Sequence, residues 1–204
     1  MQNTRNENGF TLVELLVALI VTGIVLAAVA TLAFAVGAAN DETDDTSQKQ
    51  AQIRHATLRI SELIRHCKLI CGTPDNNLAV WRADDNDDGQ ININELVYIE
   101  RGAGWDILRL CEFPSSDTSP VNLSDIETLS TSSYSVTYVP LVPQCSNVQF
   151  GFRPELPPQS RFVTISFDIV ENDTVRQYQI STALRGWAGN LLKDTGDSLV
   201  SDDD

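Results

Sequence analysis

The 25 residues Leu15–Ala39 carry no charge and no proline. At a helical rise of ~1.5 Å per residue, such a stretch crosses the ~30 Å hydrocarbon layer of a bilayer as a single helix. This constrains the chain more than any other feature. Its N-terminal part needs lipid or other helices around it, and only the residues beyond Ala39 can fold as a water-facing domain of modest size. Acid succeeds the apolar run at once, at Asp41–Asp45, whereas Arg5 and the initiator amine precede it. The positive-inside pattern therefore predicts Asn40 onward on the outer side.

Ahead of the apolar run lies a polar leader of nine residues ending in Gly9, and then Phe10-Thr11-Leu12-Val13-Glu14. This resembles the prepilin-type cleavage and methylation motif of type IV pilins and type II secretion pseudopilins. The resemblance implies cutting by prepilin peptidase between Gly9 and Phe10, N-methylation of Phe10, and Glu14 as fifth residue of the mature chain. It also implies an inner-membrane, single-pass subunit with a periplasmic outer domain, later part of a pilus or pseudopilus at or near the cell surface. Its partners are then other pilin or pseudopilin subunits, met through the N-terminal helix. A carboxylate within an apolar helix is costly unless paired. On the resemblance, Glu14 pairs with the α-amino group of Phe10 in a neighbouring subunit and sets assembly register. The alternative for Glu14 is that it simply sits near the membrane interface; an ordinary membrane anchor would account for Leu15 onward but leaves Gly9-Phe10 and Glu14 unexplained. A secretory signal peptide, with a cleavage site imitated by Ala38-Ala39-Asn40-Asp41, is a second alternative. The proline many relatives carry midway along this helix is missing; Gly23 and Gly37 are the only helix-weakening residues in the span.

The net charge of −14 excludes nucleic acid and anionic membrane surfaces as natural partners. Four cysteines, Cys67, Cys71, Cys111 and Cys145, lie beyond the span, in what is then an oxidising compartment that favours disulfides. No C-x-x-C pair suggests zinc. Cys67 and Cys71 fall one turn apart on a predicted helix, so each is expected to reach Cys111 or Cys145, the pairing left open.

After the acidic link, Ile53, Ala56, Ile60, Leu63, Cys67 and Ile70 recur at spacings of three and four, predicting an amphipathic helix stopped by Gly72 and Pro74. His55 and His66 read as its solvated face. The helix either continues the apolar one or breaks at the link. Short strands are predicted at Leu78–Arg82, Glu95–Glu100, Ile107–Phe113 and Tyr134–Val139, and alternation predicts further ones over 148–152 and 163–169. The turn Glu171-Asn172-Asp173-Thr174 joins the last of these to Val175–Leu184 as a hairpin. The expected organisation is a leader at 1–9, a long helix over 10–71 (membrane-spanning over 12–39), a β-rich domain over 72–191 and an acidic disordered tail over 192–204. The fold class is α+β: a long N-terminal helix packed on a C-terminal antiparallel sheet, as in pilins.

Residues 84–95, Asp-Asp-Asn-Asp-Asp-Gly-Gln-Ile-Asn-Ile-Asn-Glu, resemble the calcium loop of EF-hands and dockerins. Calcium takes six to eight oxygens. The resemblance assigns them to Asp84, Asn86, Asp88, the Gln90 carbonyl, Asn92 (directly or through water) and a bidentate Glu95. Gly89 allows the sharp turn and Ile91 packs inward. The flanks look like strands, so the loop is expected to cap a β-hairpin. The competing reading is an acidic Asx-Gly turn.

No nucleophile–histidine pairing, phosphate-binding glycine loop or metalloprotease helix is present, so the chain reads as no enzyme. The function indicated is a structural minor pilin or pseudopilin with a structural calcium site. The alternative is a membrane-anchored, calcium-dependent adhesin or binding module.

Overall fold

The computed structural model describes residues 11–102, 104, 106–186, 191–193 and 198–200, and only the backbone of 41 and 42. The cleavage-site residues Gly9 and Phe10 lie outside this set. One helix, α1, runs Leu12–His66, so the acidic link does not break it. The chain divides into two compact units, Met1–Ser47 and Gln48–Asp204.

In the first unit, every large apolar side chain from Leu12 to Val36 is at least 51% exposed. The two threonines on the span turn inward on their own backbone: Thr22 Oγ1 donates to Ala18 O at 2.7 Å and Thr31 Oγ1 to Ala27 O at 2.8 Å. A helix that is apolar all round and satisfies its own hydroxyls is suited to a hydrocarbon surrounding.

The second unit is built around the last part of α1. Ile53, Ala56, Ile60 and Ile64 are buried in the core, with Leu63 only partly covered. His55 and His66 are exposed, as the periodicity predicts. The predicted helix over 10–71 is too long at its C-terminal end. α1 stops at His66, and Leu69–Gly72 form strand β1, buried throughout. The cause is pairing: Lys68 N–H donates to Trp81 O at 2.9 Å, and Leu69 and Ile70 lie opposite Trp81 and Val80. A run buried on both faces has no period to betray it.

The remaining strands are β2 (Leu78–Trp81), β3 (Leu96–Arg101), β4 (Ile107–Glu112), β5 (Thr137–Pro143), β6 (Cys145–Arg153), β7 (Phe162–Glu171) and β8 (Thr174–Ala183). They form two antiparallel sheets, a five-stranded one in the order β1-β2-β3-β4-β5 and a three-stranded one in the order β6-β7-β8. The fold is thus α+β, a long helix followed by antiparallel sheet. The β7–β8 hairpin turns on Asn172 and Asp173 at φ 47° and 58°, the left-handed pair that matches the twist of the flanking strands. At the tail, the described residues do not behave as the predicted disordered segment. Leu192 bridges Leu199, and Lys193 N–H donates to Ser198 O at 2.9 Å, because these leucines find partial cover on the core.

The expected disulfides are not formed. Among the described residues all four cysteines are buried thiols. Cys67 Sγ donates to Ile64 O at 3.2 Å and Cys145 Sγ to Val142 O at 3.6 Å. Burial pushes the thiols of Cys67 and Cys111 up to about 12 and that of Cys145 up to about 11, and raises Cys71 as well.

Candidate functional site

Two constellations survive from the sequence, and they lie in separate units. The first opens α1. Thr11 precedes the helix and Glu14 stands in its first turn. Thr11 Oγ1 and backbone N–H both donate to Glu14 Oε2, at 2.9 and 3.0 Å, and Glu14 N–H returns a bond to Thr11 Oγ1 at 3.3 Å. This reciprocal capping box satisfies two of the donors that a helix start leaves open. The T-x-x-E spacing is its signal, legible in the sequence but absorbed into the longer motif. Glu14 therefore has partners within its own chain, in addition to any that a neighbouring subunit supplies.

The second constellation is the loop joining β2 to β3. The strands pair from Leu78↔Ile99 to Trp81↔Leu96, and Arg82 N–H donates to Glu95 O at 2.9 Å to close the hairpin. Residues 84–95 thus cap a β-hairpin, with Ile91 buried and Gly89 at φ 68°. Asp88 is the centre of the loop. Its Oδ1 accepts Gln90 N–H at 2.8 Å, and its Oδ2 accepts the side-chain amides of Asn86 and Asn92 at 2.7 and 3.1 Å. The Gln90 N–H and the Asn92 and Asn86 amides hold the Asp88 carboxyl below the usual carboxylate range.

Asp84, with a side chain only 4% exposed, accepts Asp88 N–H and Gly89 N–H, and is ion-paired to Lys68 Nζ at 2.9 Å. That ammonium also stands 5.3 Å over the Trp81 ring. Trp81 Nε1 in turn donates to Glu95 Oε2 at 3.0 Å. Glu95 is fully buried and accepts two more bonds, from Asp85 N–H at 2.7 Å and from Asn92 N–H at 3.3 Å, the latter half of a second capping box at the 3-10 turn Ile93–Glu95. Among the described residues, no three His, Cys, Asp or Glu side chains gather as a metal cluster. What does gather is a mixed set of oxygens. An amide places its oxygen where its nitrogen stands by a half-turn about the terminal bond. Asn86 and Asn92 can thus present oxygens beside Asp88 without moving their backbones, whereas Asp84 is engaged by Lys68 and Glu95 by three N–H donors.

Sequence reasoning missed three supports of this loop. Lys68 and Trp81 come from outside it. So does the segment Asp117–Val121, a strap along its far side: Ile93 N–H and Asn94 N–H donate to Ser119 O and Asp117 O, each at 3.0 Å, and Val121 N–H to Ile91 O at 2.7 Å. Only pairing between distant residues reveals them, and no local period marks it.

Residues 4–30 match the family described as the prokaryotic N-terminal methylation motif. The N-terminus is thus similar to a prokaryotic N-terminal methylation segment. The match takes in Gly9, Phe10, Thr11 and Glu14 and runs on into the apolar part of α1. It supports a structural subunit of pilin or pseudopilin type handled by prepilin peptidase, rather than an enzyme, and the exposed apolar helix fits membrane anchoring. No curated protein and no solved structure matches the chain.

Proposed function

We propose that this protein is a minor pilin or pseudopilin, cut between Gly9 and Phe10 and N-methylated on Phe10, that assembles into a type IV pilus or type II secretion pseudopilus through α1. The observation that carries this reading is the methylation segment of residues 4–30 continuing into a helix whose apolar side chains stay exposed. Such a surface is stable only against lipid or against other helices of the same kind. The subunit waits in the inner membrane with its outer domain in the periplasm, and neighbours replace lipid on assembly. Glu14 then gains the terminal amine of the next subunit beside its Thr11 partners, and the two charges stabilise each other in a low-dielectric core. Co-expression with a prepilin peptidase tests the proposal. Mass spectrometry should show loss of Met1–Gly9 and a methyl group on Phe10. An intact leader, or cleavage near Ala39, overturns it.

The outer domain adds a structural calcium site at residues 84–95. Asp84, Asn86, Asp88, Gln90, Asn92 and Glu95 supply the oxygens, and the convergence of both asparagine amides on Asp88 Oδ2 supports the reading. Bound calcium would offset repulsion among Asp84, Asp85, Asp87 and Asp88 and hold the β2–β3 hairpin closed. Calorimetric titration with calcium checks it, and an absence of heat at millimolar ion leaves an acidic turn only.

A further inference from the structure

The buried side of the loop at 84–95 already holds a cation, and that cation comes from outside the loop. Lys68 lies between the end of α1 and the start of β1. Its backbone N–H on Trp81 O, at 2.9 Å, fixes where the side chain begins. From there the ammonium reaches Asp84 Oδ2 at 2.9 Å and stands 5.3 Å over the Trp81 ring. The Asp84 side chain is almost wholly withdrawn from solvent, whereas that of Lys68 stays partly in water. A carboxylate at such depth needs a counter-charge, and Lys68 supplies it. Its flexible four-carbon stem lets the ammonium withdraw toward water without any change in β1.

The other charged groups of the loop are met differently. Glu95 is reached by neutral donors, the Trp81 indole and the Asp85 and Asn92 amides. Arg82 is ion-paired at 2.7 Å to Asp85, but both side chains are exposed. Asp85 is also outside the set of six oxygen donors. One basic side chain thus occupies a donor of the proposed calcium site. A second sits close by, on a carboxylate that takes no part in it. An ammonium and a divalent ion cannot share Asp84 Oδ2, because repulsion at contact distance is weakly screened in a partly buried setting.

We propose that Lys68 is a built-in competitor of calcium at this loop. Its ammonium neutralises Asp84 when the ion is absent and must leave Oδ2 before calcium takes that oxygen. On the calcium reading of residues 84–95, on which this competition rests, Lys68 is the residue that sets how tightly the ion is held. A site that is competent for only a fraction of the time binds more weakly by that fraction, so a pair closed about four-fifths of the time weakens binding about fivefold.

The test is calorimetric titration of calcium into the full chain in detergent micelles, with the variants Lys68→Met, Lys68→Gln and Arg82→Met alongside. Lys68→Met should tighten the calcium dissociation constant about fivefold or more. Lys68→Gln keeps a neutral donor for Asp84, so it should tighten binding too and covers the case of a Met variant that does not fold. Arg82→Met removes an equal charge from the same loop and should change the constant less than about twofold. Calcium heat in the Lys68 variants alone would also support the proposal, since the lysine then fills the site outright. Equal or weaker binding in both Lys68 variants would overturn the competition and leave the calcium site standing. Equal tightening by Arg82→Met would overturn it as well, by tracing the effect to net charge. No heat from any of the four proteins at millimolar ion would remove the calcium site itself, and the competition with it.

Discussion

Thr11 and Glu14 hold each other at the first turn of α1, with two donors of Thr11 on Glu14 Oε2 and the Glu14 amide on Thr11 Oγ1. The carboxylate that the methylation motif places within an apolar helix is thus satisfied by its own chain before any neighbour arrives. An N-cap of this type stabilises a helix start by ~1 kcal/mol. Thr11→Ala should therefore speed amide exchange over residues 12–15 about fivefold in micelles, whereas Thr11→Ser should preserve protection. Equal exchange in both variants would show the box to be idle.

In the acidic loop, Glu95 and Asp88 are predicted to respond differently. Glu95 accepts three N–H bonds in a buried setting. Glu95→Gln leaves at least one donor facing an amide nitrogen, so it should destabilise the domain by ~1–3 kcal/mol even in chelator. Asp88 is exposed, and Asp88→Asn should change chelator melting little while removing most of the rise in melting temperature expected from millimolar calcium on the proposed site. Melting curves of the two variants, with and without calcium, separate the hydrogen-bonding role from the metal role.

The core side of α1 gives a third expectation. Ile64 is fully buried and Leu58 is 71% exposed, although both belong to the same apolar-rich stretch. Ile64→Ala should cost ~2–5 kcal/mol in urea unfolding, and Leu58→Ala a few tenths at most. Similar losses for both would place the helix differently against the sheets.

The thiols give a pH test. Their folded-state values are raised, to about 12 for Cys67 and about 11 for Cys145. The native state therefore keeps protons that the unfolded chain releases above ~8.5. Their contribution is complete below that pH and is lost as pH rises through the folded values. The urea midpoint of the reduced protein should fall steadily above pH ~9. Protein bridged as the exported compartment suggests would lack this alkaline loss, and thiol counting in denaturant would find fewer than the four thiols of the structure.

Much of this protein is settled by its sequence because the deciding physics is local. Leu15–Ala39 admits only a helix in an apolar surrounding. The alternation over 148–152 and 163–169 fixes which faces of β6 and β7 are buried, and Asn172-Asp173 supplies the left-handed turn that the β7–β8 hairpin needs. The Asp-Asx spacing and Gly89 make residues 84–95 a hairpin cap. Tertiary structure decided the rest. Leu69–Gly72 are buried on both faces and carry no period of their own, and they become β1 because β2 offers them a paired edge. Lys68 and Trp81 reach the loop only when that pairing is made, and the Asp117–Val121 strap joins it through backbone bonds that any sequence could form.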